Sequence, residues 1–79
     1  LLDRVTADQP NHAAAQFALA YCRRAAGKYE QALERYDVAR VLLPTDPRPF
    51  HQRGGIYAET RRYDRAESEF DKALALDPD

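Results

Sequence analysis

Pro10, Pro44 and Pro78 recur every 34 residues, and Asp3, Asp37 and Asp71 keep the same interval. A period of that length is one helix-turn-helix unit, which buries its apolar face only by stacking on a copy of itself. The register therefore constrains the chain to a stacked array, and it points to binding rather than chemistry. Two whole units and a remnant are counted: residues 1–10, 11–44 and 45–79. In the remnant, Leu2, Asp3 and Val5 hold the register of Tyr36, Asp37 and Ala39 and of Phe70, Asp71 and Ala73. Residues 1–10 are thus expected to be the end of a preceding helix, and the whole to be a piece of a longer protein. Stacks gain much of their stability at interfaces between neighbours, with roughly three units usually needed, so two leave little margin.

Helix signals repeat with the register. Asn11 is expected to cap a first helix starting near His12, which Ala13, Ala14, Ala15, Ala18 and Ala20 favour until Gly27 ends it. Tyr29 to Leu43 resumes with Tyr29, Ala32, Leu33, Tyr36, Ala39 and Leu42 at helical spacing, and Pro44 stops it. Thr45, Asp46 and Pro47 then restart the chain, with Asp46 as a capping carboxylate and Pro47 at the first helical position. The third helix is expected from Pro47 to about Thr60 and the fourth from about Arg62 to Leu76, its buried stripe being Tyr63, Ala66, Phe70, Ala73 and Leu76. Arg61 stands where the first unit has Gly27, so that turn either strains a non-glycine residue or follows another path.

The run Ala20, Gly27, Tyr29, Ala32, Tyr36, Ala39, Leu42, Pro44 and the run Gly54, Tyr57, Tyr63, Ala66, Phe70, Ala73, Leu76, Pro78 both resemble the tetratricopeptide repeat. The resemblance covers essentially the whole chain. It implies an all-α, right-handed superhelical stack of antiparallel helix pairs, in which the first helix of each unit lines a concave face that reads a partner. Small residues such as Ala20, Ala32, Gly54 and Ala66 would let paired helices approach closely while Tyr36 and Phe70 fill the space beside them. Gln16 and Arg23 depart from the family's aromatics, which would loosen the first unit. Arg53 replaces a frequent leucine, and its head is expected to find Glu69 or Asp71.

On the inner face, Ala14, Phe17, Tyr21 and Arg24 form one stripe, while Gln16, Leu19, Ala20 and Arg23 form the stripe that should meet the second helix. The matching stripe of the next unit is Arg48, His51, Gly55, Ala58 and Glu59, with Gln52 beside it. Phe17 and Tyr21 offer apolar platforms to a peptide or partner helix; Arg24, Arg48, His51 and Gln52 offer hydrogen bonds and charge; Gly55 leaves room. The competing reading has both aromatics covering the junction with the third helix. Some family members clamp the carboxylate tail of heat-shock chaperones with lysine and asparagine here. Phe17 and Tyr21 occupy those positions in the first unit, which argues for a hydrophobic or mixed ligand instead.

Other function classes lose ground. Twelve basic and thirteen acidic residues leave a net charge of −1, so no global field collects nucleic acid or anionic membrane. Clusters at Arg23, Arg24 and Lys28 and at Arg61, Arg62 and Arg65 are read as a solvated edge balanced by Glu30, Glu34, Asp64 and Glu67. No apolar run suffices for membrane insertion. One cysteine and two histidines supply no structural metal site, no cofactor motif is found, and Cys22 is read as a small core residue rather than a nucleophile. No nucleophile and base, paired carboxylates or phosphate loop assembles, so no enzyme is expected. Phe70, Leu74 and Leu76 have no following helix to cover them, so self-association through the open ends is the alternative to groove binding.

Overall fold

The computed structural model describes residues 9–78, which carry four helices: α1 Gln9–Ala25, α2 Tyr29–Leu42, α3 Arg48–Glu59 and α4 Tyr63–Leu76. Each packs on its neighbours in sequence, α1 on α2, α2 on α3 and α3 on α4, so two helix pairs are stacked with no strand among the described residues. Residues 1–8 of the expected preceding helix lie outside the described residues. Gln9 and Pro10 belong instead to the first turn of α1, where proline's missing N–H has no partner to lose. Asn11 accordingly lies inside that turn rather than capping it.

The two intra-unit turns have one geometry. After α1, Gly27 N–H donates to the carbonyl of Arg24 at 2.9 Å and Lys28 N–H to that of Arg23 at 2.8 Å, with Gly27 left-handed at φ 81°. After α3, Arg61 N–H donates to Ala58 at 3.1 Å and Arg62 N–H to Tyr57 at 2.7 Å, with Arg61 at φ 64°. Both pairs of bonds satisfy carbonyls that a helix end leaves bare, and both demand a left-handed residue. The second turn therefore keeps the path of the first and strains Arg61.

Close crossings hold each pair together. Ala20, Ala32, Tyr36 and Ile56 have essentially no exposed surface, and Leu33, Tyr57 and Ala66 complete that core. A Cβ on Gly54 would fall 2.6 Å from Cε1 of Phe70, so the ring lies directly against the α3 backbone. In the first unit the same positions hold Ala20 and Tyr36. Leu19 is exposed although it was expected to meet the second helix. Gln16, which departs from the aromatic of the resembling family, is buried and accepts from Nη1 of Arg35 at 3.2 Å, which satisfies its amide oxygen. Arg53 finds Glu69, its Nε standing 3.3 Å from Oε1, and its other nitrogens reach the Leu33 carbonyl at 3.4 Å and the Tyr57 hydroxyl at 3.3 Å.

Candidate functional site

The inner surface is built from α1 and α3, which meet mainly through long side chains. Phe17 is half-buried, its ring edge-on to Tyr36 with centroids 5.9 Å apart, and the Arg48 guanidinium lies 4.7 Å from its centre. Tyr21, one turn further along α1, is 65% exposed. Both aromatics face the α3 side, but only Tyr21 is left open.

Arg24 ties the two units. Its Nε donates to Oε1 of Glu59 at 2.8 Å and its Nη1 to Oε1 of Gln52 at 2.8 Å. The Tyr36 hydroxyl approaches that same Gln52 oxygen at 3.5 Å, and burial raises the Tyr36 pKa above the ordinary phenol value, an effect that the nearby Arg24 charge opposes. Gly55 leaves room, and Arg24 occupies it: a Cβ there would sit 2.9 Å from Arg24 Nη2. Tyr21, Arg24 and Gln52 thus share an open hollow of about 510 Å³ with Ala25, Tyr29 and Glu59. Glu59, which the sequence places on the inner stripe of α3, joins them there although it was not among the seven candidate residues. Tyr29 was assigned to the buried face of α2 and is half-buried.

Arg48 and His51 look elsewhere. Asp46 accepts the Arg48 backbone N–H at 2.9 Å and its Nη2 at 2.6 Å, and the hydrogen bonding to Arg48 holds the Asp46 carboxyl below its usual pKa and the Arg48 guanidinium above its own. His51 stands edge-on to Phe70 at 5.5 Å. These two residues line a second open hollow of about 550 Å³ at the far end of the stack, with Pro47, Phe70, Ala73 and Leu74. The seven candidate residues therefore divide between two places. Tyr21, Arg24, Gln52 and Gly55 gather in the groove, His51 sits at the end, and Arg48 joins the two by covering Phe17.

Cys22, expected in the core, is exposed. It occupies the α1 position that Ile56 holds on α3, where Ile56 is fully buried in the cluster shared by both units. Of the expected basic edge, Arg62 donates from Nη2 to Oε2 of Glu30 at 2.6 Å across the two units. Among the described residues no helix is long and apolar enough to cross a membrane, and no three metal-binding side chains converge.

Two family models, each described as tetratricopeptide repeat, match the chain, one over residues 1–47 and the other over residues 47–79. No curated protein matches it. Such repeats are generally protein–protein interaction modules, typically without catalysis of their own. The first match alone spans more than half of the 79 residues, and paired, stacked helices are the architecture that family has, so the chain belongs to the tetratricopeptide repeat family.

Proposed function

We propose that this chain is a non-catalytic interaction module that binds a peptide or partner helix in the groove between α1 and α3, serving as a scaffold or adaptor within a larger protein. The two full repeats, residues 11–44 and 45–79, would each contribute one wall. The observation that carries the reading is the 65% exposure of Tyr21 beside a polar network that is already paired. A rigid aromatic ring offers contact area at low entropic cost. Arg24, held by Glu59 and Gln52, needs no reorganisation when water leaves the groove. Glu59 remains half open and can accept an N–H from a ligand, so the occupant expected is a segment with one apolar anchor and a nearby donor.

The test is a library of random peptides displayed on phage, panned against the wild type and against Tyr21→Ser. Enrichment on the wild type that falls at least tenfold on Tyr21→Ser, with unchanged helicity by circular dichroism, supports the groove. Equal enrichment on both would remove it. Phe17→Ser is expected to lower stability as well as binding, because its ring contacts Tyr36 in the core.

A second role, self-association through the open ends of the stack, is favoured by one observation. Leu74 and Leu76 on α4 are 57% and 38% exposed, beside the hollow that Phe70 lines.

A further inference from the structure

We infer that the segment bound in the groove presents a basic side chain, arginine or lysine, whose stem lies on Tyr21 and whose charged head meets Glu59. This rests on the groove reading and names the chemistry of its ligand, since one residue then supplies both the apolar anchor and the donor.

The hollow of about 510 Å³ lies between the two units, with Tyr21, Arg24, Ala25 and Tyr29 from the first and Gln52 and Glu59 from the second. Its polar atoms are only partly used. Arg24 holds Oε1 of Glu59 at 2.8 Å, and among the described residues no donor reaches Oε2. The Glu59 side chain is 46% exposed, so a second donor has access to it. The Gln52 oxygen already accepts from Arg24 and stands 3.5 Å from the Tyr36 hydroxyl. Its amide N–H groups are thereby turned the other way, where they can hold a main-chain carbonyl of the ligand.

The rest of the molecule shows what such groups take. Arg48 stands over Phe17 at 4.7 Å, Arg62 and Arg53 over Tyr57 at 5.1 and 5.8 Å, and Lys72 over Phe50 at 6.0 Å. Each cation meets the negative face of a ring. Among the described residues neither Tyr21 nor Tyr29 has such a partner, although Tyr21 lies open beside a carboxylate.

Carboxylates here also hold two cations at once. Glu69 gives Oε1 to Arg53 at 3.3 Å and Oε2 to Lys72 at 3.8 Å, and Asp37 gives Oδ1 to Arg40 at 2.9 Å and to Arg53 at 3.5 Å. Glu59 has the first cation of such a pair, Arg24, and an open place for the second.

Arg24 and Glu59 together decide the selectivity. An acidic ligand would have to displace Glu59 from Arg24, and an aliphatic one would strip water from Oε2 without replacing it. A basic side chain does neither. Its methylenes cover the Tyr21 ring while its head takes the place of water at Oε2. The shared carboxylate offsets the repulsion from Arg24, as Glu69 does for Arg53 and Lys72.

The test is a nuclear magnetic resonance titration of the isotope-labelled chain with four capped tripeptides, acetyl-Ala-X-Ala-amide with X arginine, lysine, leucine or glutamate, up to about 20 mM. The arginine and lysine probes should shift the amides of Tyr21, Gly55 and Glu59 with Kd of about 1–10 mM, about threefold or more tighter than leucine, and glutamate should leave them unmoved. Glu59→Gln keeps an oxygen for Arg24, removes the charge, and should bring the basic probes level with leucine. Tyr21→Ser should weaken the basic probes by about threefold. Matching thermal melts confirm that these exposed changes leave the fold intact. A leucine probe that binds at the same amides as tightly as arginine, or basic probes that Glu59→Gln leaves unchanged, overturn the basic-residue inference while the groove stands. Shifts by no probe overturn it too, and the groove is then decided by its own peptide selection.

Discussion

Replacing Arg61 with glycine should make the protein more stable. Arg61 sits at φ 64° in a turn whose two hydrogen bonds, 3.1 and 2.7 Å long, fix it there. A residue with a Cβ in this region costs about 1–2 kcal/mol, because the Cβ approaches the following carbonyl oxygen. Glycine removes that cost but loses more backbone freedom on folding, an opposing effect of about 0.4–1 kcal/mol. Arg61 is exposed, so little packing is lost with its side chain. The net gain is about 0.5–1 kcal/mol, which for a domain of this size raises Tm by about 2–8 °C. Calorimetry or a circular dichroism melt reads this directly. Gly27→Ala supplies the mirror experiment, since Gly27 has φ 81° and open space around its missing side chain, so only backbone strain is added. It should destabilise by about 1 kcal/mol. An unchanged or lowered Tm for Arg61→Gly, with Gly27→Ala behaving as stated, would refute the claim that the second turn is strained.

Asp46→Ala should cost about 1 kcal/mol in a denaturant titration, since it removes the carboxylate that accepts the Arg48 N–H at the start of α3. Because the folded carboxyl is held below its ordinary pKa, its contribution is complete above about pH 4 and is lost as the pH falls through the lowered value. The wild type should therefore lose more stability on acidification than Asp46→Ala does. Glu69→Leu removes the more buried of the two carboxylates at Arg53, leaving only Asp37 at 3.5 Å, and should cost about 1–3 kcal/mol by chemical denaturation. Adding Arg53→Met to Glu69→Leu should restore most of that loss. Gly54→Val should destabilise by about 1–3 kcal/mol, because even a single carbon there meets the Phe70 ring.

Most of the fold was legible because the 34-residue register acts on every position at once. Alanine or glycine at one crossing and an aromatic at its partner state the packing rule twice, as Ala20 with Tyr36 and Gly54 with Phe70. Single sites were less legible for a physical reason. Equivalent registers do not have equivalent neighbours among the described residues, so Cys22 is exposed where Ile56 is buried. The inner face was hard for a different reason. Its stripe named Tyr21, Arg24 and Gln52, but the reach of a guanidinium decided that Arg24 would bind Glu59 and fill the space over Gly55. Helical periodicity gives the direction of a Cβ and says little about where a long side chain ends. His51, one turn from Arg48, went to the end hollow, where it meets the Phe70 ring edge-on.

Two adjacent glycines in the middle of α3 show how one helix meets two different neighbours at close range. Successive helical residues point about 100° apart, so Gly54 and Gly55 face different neighbours: Gly54 admits the ring of Phe70 from α4, and Gly55 admits the guanidinium of Arg24 from α1. Each lowers helix propensity by about 1 kcal/mol relative to alanine, a large sacrifice in a domain of this size. The first unit dispenses with both, having Ala20 and Tyr21 in the same registers. At the first of these positions alanine still fits beside Tyr36, whereas at 54 the Phe70 ring lies where a Cβ would be. At the second the contrast is sharper. Tyr21 projects into the groove from α1, whereas Gly55 recedes from it on α3, and Arg24 crosses the space between. One wall is thus aromatic and open, the other low and bridged, an asymmetry that would give a segment bound as proposed a direction. Gly55→Ala should therefore push Arg24 off Gln52 and Glu59 and change the groove while leaving the packing of α3 against α4 as it is.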